Sequence, residues 1–200
     1  MIFTYMILTT LLPYWNNPKI HNLGNIGLGG KIHAELAYLA TTYIDNVRYN
    51  GKNIREEIYK NYEGLKVLDM CCGTGISTIP GGIGVDSSIE MISVAKRDKK
   101  KIFYCGNAEN FNIDEDIDVI TCMFSFHEIP KDGQIKIKKN MEKLAKKEIC
   151  IVDISPSYKP KKIMLSGEPY LIDYLNNIDD VLNDYEKEIL IQDHVTIWKK

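Results

Sequence analysis

The sequence predicts an α/β fold, in which helices cover both faces of a doubly wound, mostly parallel sheet. Three observations favour it. From Lys66 onward, short apolar runs alternate with stretches that have helical spacing. The runs are nearly continuous in apolar residues, as expected for strands that are buried on both faces. The length of 200 residues suits one domain of ordinary size, with 44% hydrophobic and 26% charged residues.

Seven strands are predicted from these runs. Five parallel strands are expected at 66–70, 82–86, 101–105, 118–126 and 148–154. The runs ILIQD and HVTIWKK then predict a C-terminal antiparallel hairpin. Helices are expected within 87–98, 132–147 and 167–185, where apolar residues recur at helical spacing.

Residues 1–64 differ from this pattern and are predicted to form an N-terminal helical cap, or lid, on a domain of residues 65–200. Met1–Leu12 is apolar but shorter than the roughly 20 residues that span a bilayer. We expect it to pack on the domain, with an interfacial anchor or an uncleaved signal as the alternative. Residues 16–30 read as a loop and residues 31–47 as a helix. Its predicted apolar face consists of Ile32, Leu36, Leu39, Tyr43 and Val47.

Composition narrows the possible partners. The net charge of −2 argues against nucleic acid as the main partner, and the lysine-rich runs at 96–101 and 136–147 fit solvated surface.

The five cysteines lie mostly in apolar runs and indicate a reducing compartment, so a cytoplasmic location is predicted. No CxxC pair occurs in the sequence and no histidine is spaced to complete a zinc site, so we predict no metal site.

A glycine-rich turn, CCGTG, follows the first strand. Gly73 and Gly75 allow the backbone to approach a ligand closely, at the edge of the sheet where parallel strands end. It is not a complete dinucleotide motif, because the third glycine of GxGxxG falls on Thr78. The earlier run GNIGLGGK fails as a phosphate loop, because Asn25 stands at its first glycine and Ile32 at its Ser/Thr position.

Polar residues lie at or just after the carboxyl ends of the first three predicted strands. Asp69 precedes the turn and suits a cationic group, whereas Asp86, at the end of the second strand, suits the hydroxyls of a ribose. GNAEN at 106–110 follows the third strand, where an adenine edge would lie. A cationic amino acid, a ribose and an adenine without phosphates indicate S-adenosylmethionine. Helix capping by Asp86, Ser87 and Ser88, and a turn role for Asp69, remain open alternatives.

The stretch from Lys66 to Ile154 resembles class I S-adenosylmethionine-dependent methyltransferases of the type 11, quinone-pathway-like group. VLDMCCGTG is similar to their first motif, DxGxGxG, with Cys71 in place of the first glycine. The resemblance implies a Rossmann-like seven-stranded fold. The residues predicted to bind the cofactor are Asp69, Cys71, Gly73, Thr74, Gly75, Asp86, Ser87, Met91, Asn107, Ala108, Glu109, Met123 and Phe124.

The loop after the fourth strand, SFHEIP, is predicted to hold the catalytic residue. His127, as a neutral imidazole, is a candidate general base or substrate holder, and a purely structural loop histidine is the alternative. Predicted substrate-binding residues are His21, Asn25, His33, Tyr38, Phe126 and His127. The expected reaction is methyl transfer to an O, N, S or C atom of a small molecule. The alternatives are a protein or RNA methyltransferase, a catalytically silent cofactor-binding subunit and, more remotely, a nicotinamide oxidoreductase.

Overall fold

The computed structural model describes residues 13–48 and 53–200. The predicted apolar segment Met1–Leu12 lies outside the described residues. Among the helices of the described ranges, none combines the length and the apolar character that crossing a bilayer requires.

One seven-stranded sheet organises the chain. Its strands are β1 (Val67–Met70), β2 (Ile83–Asp86), β3 (Ile102–Cys105), β4 (Ile117–Met123), β5 (Ala145–Ile154), β6 (Glu186–Ile191) and β7 (Val195–Lys199). They lie in the order β3-β2-β1-β4-β5-β7-β6. Strands β1 to β5 are parallel, and β7 pairs antiparallel with β5 and with β6. The predicted fold class, a mostly parallel sheet that ends in an antiparallel hairpin, is confirmed.

Within residues 13–48 and 53–200, six helices accompany the sheet: α1 (Gly27–Arg48), α2 (Ile54–Lys60), α3 (Ile89–Ala95), α4 (Lys131–Leu144), α5 (Lys162–Gly167) and α6 (Leu171–Val181). Short 3₁₀ turns cover Tyr14–Asn16, Ile20–Asn22 and Phe126–Glu128. Local chemistry sets several helix starts. The side chain of Asn53 accepts a hydrogen bond from the N–H of Glu56, and that of Ser88 accepts one from the N–H of Met91.

Alternating side chains of the strands build a core on each face of the sheet. Leu68 and Met70 of β1 pack on one face, with residues of α4 and α6 such as Met141 and Tyr174. Val67 packs on the other face with Ile58 of α2. Because α2 covers this second face, residues 54–62 pack with the body of the domain, although the predicted cap extends to residue 64. The domain boundary itself stays a prediction.

The predicted apolar face of helix α1 is exposed in the structure, so the prediction that this face packs on the domain is wrong. Leu39 and Tyr43 are each 67% exposed, and Ile32 and Leu36 are also exposed, whereas the side chain of Val47 lies outside the described residues. The helix instead packs through small residues, because Ala34 is buried against Met91 and Val94 of α3. It also begins at Gly27, inside the segment that was predicted to be a loop.

Candidate functional site

Two adjoining cavities lie beyond the carboxyl ends of the central parallel strands. The larger measures about 640 Å³ and the smaller about 80 Å³. The order of the strands reverses at β1, whose neighbours are β2 and β4, and open α/β sheets bind ligands at such a point. The walls common to both cavities are Asn25, Cys71, Asp86, Ser125 and Glu128.

The turn after β1 has an unusual backbone. Cys71, Gly73 and Gly75 all have positive φ values, of +58°, +52° and +79°. A Cβ atom on Gly75 would lie 2.5 Å from the ring of Phe103, so only glycine fits there. Cys71 adopts a conformation that favours glycine, which agrees with its predicted place in the motif. The adjacent cysteines are therefore turn residues that line the larger cavity.

Asp86 connects the end of β2 with this turn. Its carboxylate accepts hydrogen bonds from the N–H of Gly73, at 2.9 Å, and from the N–H of Ser88, at 2.8 Å. Burial raises its pKa, and the two backbone donors oppose that rise. An ionised carboxylate has about four acceptor positions, so Asp86 keeps capacity for a ligand at the wall of both cavities. The helix-capping role belongs to the neighbouring Ser88.

The structure places Asp69 away from both cavities. It is fully buried, and its two oxygens accept hydrogen bonds from the hydroxyls of Thr78, at 2.7 Å, and Thr121, at 3.0 Å. Burial raises its pKa to about 6, although these bonds counteract the effect. Asp69 thus ties β1 to β4 and to the turn, rather than facing a cationic ligand.

The loop after β4 leaves strand geometry at Phe124, which has a φ of +56°. The strand rule of alternating sides therefore does not extend to Phe126, which is fully buried in the core and lines neither cavity. Phe124 does line the larger cavity, and the guanidinium of Arg55 lies 4.6 Å from its ring centroid.

His127 lines the larger cavity and is held by Asp153 of β5. Its Nδ1 lies 2.6 Å from Asp153 Oδ1, and its backbone N–H donates to Asp153 Oδ2 at 3.3 Å. Burial disfavours the imidazolium, but the charge of Asp153 and this bond outweigh it and raise the pKa of His127 to about 10. The pairing with Asp153 thus favours the imidazolium form of the ring, whereas a neutral imidazole was expected from the sequence.

His21 brings the N-terminal cap to the same place. Its Nε2 lies 2.9 Å from Glu128 Oε1, and its Nδ1 lies 3.1 Å from Glu168 Oε1. Burial opposes protonation, but the two carboxylates raise the pKa of His21 to about 9. The pKa of Glu128 falls to about 2, because the neighbouring histidines overcome the effect of its burial. Burial and the charge of Glu128 raise the pKa of Glu168 to about 7.

Most of the predicted site residues meet at these cavities. Those that line the larger one are His21, Asn25, His33, Cys71, Gly73, Thr74, Asp86, Met91, Met123, Phe124 and His127. Ser87, Asn107 and Ala108 line the smaller one, together with Tyr14 and Trp15 of the cap. Asp69, Gly75, Tyr38, Glu109 and Phe126 line neither cavity. Tyr38 lies on the exposed side of α1.

Several cavity residues were not predicted from the sequence. They include Arg55 of α2, Glu168 after α5, Tyr158 after β5 and His194 between β6 and β7. Residues 155–170 were expected to close the pocket from the side after β5, because their prolines and glycine predict a loop, but no individual residue of this segment was named. No sequence signal singled out Glu168, because its neighbours in the site are distant in the chain.

Part of this chain matches a known protein family. Residues 67–148 match a protein family described as "Methyltransferase domain". A comparison with curated proteins found no match.

Solved structures share the fold at low sequence identity. One is an S-adenosylmethionine-dependent methyltransferase from Clostridium acetobutylicum ATCC 824, with 15% identity, a TM-score of 0.56 and coverage of 81% of this chain and 96% of the other. Magnesium protoporphyrin IX methyltransferase (ChlM) from Synechocystis PCC 6803, with bound SAH, shows 16% identity, a TM-score of 0.52 and 97% coverage of both chains. The plantazolicin methyltransferase BamL shows 21% identity, a TM-score of 0.54 and coverage of 79% of this chain and 75% of the other.

The match over residues 67–148 and the shared fold confirm the predicted resemblance to class I S-adenosylmethionine-dependent methyltransferases. The assignment to the type 11 group stays a prediction, because the matching description is a general one.

Proposed function

We propose that this chain transfers a methyl group to a small-molecule acceptor that binds in the larger cavity. The observation that carries the proposal is the pair of adjoining cavities at the strand ends, with Asp86 in the wall of both. A volume of about 640 Å³ is in the range of small-ligand sites. ChlM and BamL, which share the fold, are a porphyrin and a plantazolicin methyltransferase, and they support an acceptor of this kind.

The residues around the smaller cavity fit the nucleoside part of S-adenosylmethionine. Asp86 would accept the ribose hydroxyls, and the backbone of Gly106–Ala108 would border the adenine. Asn25 Oδ1 is buried and has no hydrogen-bond partner within the described ranges, so it offers an acceptor to a hydroxyl or amino group. When bound, the cofactor supplies an electrophilic methyl group on a sulfonium.

The residues around the larger cavity would align the acceptor and exclude water. With Nδ1 of His127 engaged by Asp153, only Nε2 of that ring is left to contact an acceptor. Asp153 is fully buried and also accepts the N–H of Ile154 at 2.7 Å, so it acts as a positioning residue. The wall of the cavity formed by Leu36, Ala37 and Ala40 of α1 adds apolar surface, which suits an acceptor with an apolar part.

Two measurements, made one after the other, test the proposal. Calorimetry should show binding of S-adenosylmethionine and of its demethylated product, S-adenosylhomocysteine, and no binding of NADH. Incubation with an isotopically labelled methyl donor and a metabolite extract should then yield a labelled small molecule in mass spectrometry. Label in protein or RNA instead would favour the alternative acceptors, and cofactor binding without any labelled product would favour a silent subunit.

Asp86→Ala should weaken cofactor binding by roughly 2–4 kcal/mol, because two charge-assisted hydrogen bonds to the ribose are lost. The matched control is Asp116→Ala, which removes a carboxylate that is 92% exposed and should leave the affinity unchanged. Equal affinities of the Asp86→Ala variant and the unaltered protein would contradict the ribose role.

A further inference from the structure

Three side chains from distant parts of the chain converge on one wall of the larger cavity. His21 belongs to the cap, Glu128 to the loop after β4, and Glu168 to the segment after α5. One ligand atom from each side chain lies within 4.8 Å of the ligand atoms of the other two. An imidazole with two carboxylates is a ligand set that divalent transition metals accept.

Glu168 supplies an independent indication of a missing ligand. Its side chain is only 6% exposed, and one of its oxygens, Oε2, is buried with no hydrogen-bond partner among residues 13–48 and 53–200. Leaving a buried carboxylate oxygen without a donor is costly, so such atoms in folded proteins usually face a partner. A proton on His21 accounts for the contact with Glu168 Oε1 but leaves Oε2 unsatisfied.

The backbone around the cluster holds these side chains together. A Cβ atom added to Gly167 would lie 3.2 Å from the Cα of His21, so the segment that carries Glu168 packs directly on the turn that carries His21. His21 and Asn22 both have positive φ values, of +48° and +60°, and the turn is completed by the bond from the N–H of Asn22 to the carbonyl of Lys19.

We propose that His21, Glu128 and Glu168 form a binding site for one divalent transition-metal ion, such as Mn²⁺ or Zn²⁺, in the wall of the acceptor cavity. The two carboxylates balance the charge of the ion. Three protein ligands leave coordination positions open, as in metal sites that take part in reactions. The role of the ion, which rests on the proposed function, is to hold an oxygen or nitrogen of the acceptor beside the cofactor. The sequence predicted no metal site, because the three ligands follow no spacing pattern.

Binding of Mn²⁺ to the protein without cofactor or acceptor tests the site. Mn²⁺ is the suitable probe because it prefers oxygen and nitrogen ligands, so the five free cysteines compete weakly for it. Electron paramagnetic resonance of free Mn²⁺ during a titration should show one site per chain. Glu168→Gln and His21→Ala should each weaken binding about tenfold or more, because each removes one ligand.

Two control variants should bind Mn²⁺ as the unaltered protein does. His194→Ala removes a histidine that lines the same cavity outside the cluster, and Glu63→Gln removes an exposed carboxylate elsewhere. Circular dichroism should establish that each variant is folded, and Glu128→Gln replaces any ligand variant that is not. The proposal is overturned if Mn²⁺ does not bind, or if it binds equally well to the ligand variants.

Cofactor binding separates this proposal from the proposed function. Asp86→Ala should lose affinity for S-adenosylhomocysteine and keep its Mn²⁺ site, whereas Glu168→Gln should show the reverse. Failure of the metal titration with intact S-adenosylhomocysteine binding would overturn the metal site alone. Failure of S-adenosylhomocysteine binding with an intact Mn²⁺ site would count against the methyltransferase proposal alone.

Discussion

Strained residues cluster at the site. Among the described residues, five other than glycine have positive φ values: His21, Asn22, Cys71, Phe124 and Asp193. Three of them, His21, Cys71 and Phe124, line the larger cavity. Such conformations cost on the order of 1–3 kcal/mol each and persist where the surrounding structure fixes them. The strain here places side chains of three separate segments against one cavity.

Asp69 predicts a pH dependence of stability. Its pKa in the folded protein, about 6, is above its ordinary value of 3.8 because of burial. Between these two pH values, the folded state therefore holds a proton that the unfolded state has released. The contribution of this proton to the free energy of unfolding is fully present below about pH 3.8. It is lost as the pH rises through about 6. We expect the free energy of unfolding of the unaltered protein, relative to Asp69→Asn, to fall between about pH 4 and 6.

Chemical denaturation at several pH values measures this difference. Asparagine keeps the size of the side chain but does not ionise, so the other titrating groups cancel in the comparison. A difference that stays constant across this range would mean that Asp69 ionises in the folded protein as it does in water.

His127→Ala should lower turnover about 100-fold, because a positioned hydrogen-bonding group is lost at the acceptor. Cofactor affinity should stay unchanged, since the ring contacts Asp153 and not the turn after β1. Single-turnover rates with the labelled acceptor, together with calorimetry for S-adenosylhomocysteine, measure the two effects separately. An unaltered rate would make His127 a structural residue, the alternative that the sequence left open.

At the scale of elements, the turn between β1 and β2 depends on glycine. In Gly75→Ala, the new methyl group would lie 2.5 Å from the ring of Phe103 and 3.1 Å from Ala95, in addition to the strain of a φ of +79°. We expect a loss of several kcal/mol of stability, from overpacking and backbone strain together. Weakened cofactor binding should accompany it, because the turn carries Gly73, which donates to Asp86.

Gly81→Ala is the matched control for this change. Gly81 has nearly the same φ, +78°, but a Cβ atom there meets nothing within 4 Å. Its substitution should lower the stability of the protein only by the backbone strain, roughly 1–2 kcal/mol, and should leave cofactor affinity unchanged. Thermal unfolding and calorimetry compare the two variants. Equal losses of stability would show that the ring of Phe103 moves aside without a cost in free energy.

The strands were predictable because burial on both faces leaves an apolar run in the sequence. The exposure of the apolar face of α1 was not predictable from the sequence. Its apolar stripe, which includes Leu39 and Tyr43, has the spacing of a buried helix face, and spacing alone does not tell which face packs. Helix α1 approaches the body of the protein through Ala34, which is buried against Met91 and Val94 of α3. A Cβ atom on Gly30 would lie 2.5 Å from the backbone of Asn25, so glycine there lets the start of α1 pack against the preceding segment of the cap.

At the scale of the whole molecule, the cofactor side of the site was more predictable than the acceptor side. Gly73 follows β1 and Asp86 ends β2, the next strand along the chain, so their meeting follows from the parallel sheet. His21, Glu128 and Glu168 are separated by 107 and 40 positions. Their meeting depends on how the cap and the segment after α5 pack over the sheet, and no local pattern encodes this.

The cap borders the cofactor side as well as the acceptor side. Trp15 and Asn25 line the smaller cavity beside Asp86. The hydroxyl of Ser88 donates to the carbonyl of Asn25 at 2.7 Å, and the N–H of Gly27 donates to Glu90 Oε1 at 2.7 Å. Because these bonds join the cap to the start of α3, a ligand held by Asp86 should also stabilise the cap.

Hydrogen exchange with and without S-adenosylhomocysteine measures this coupling on the intact chain. Amides of residues 14–30 should exchange more slowly with the ligand, together with those of residues 71–75 and 106–108, since local opening of the cap then also costs ligand contacts. Strand β6 is the internal control, because it is the edge strand farthest from β2 and should not change. Protection confined to residues 71–75 and 106–108 would mean that the cap serves the acceptor alone.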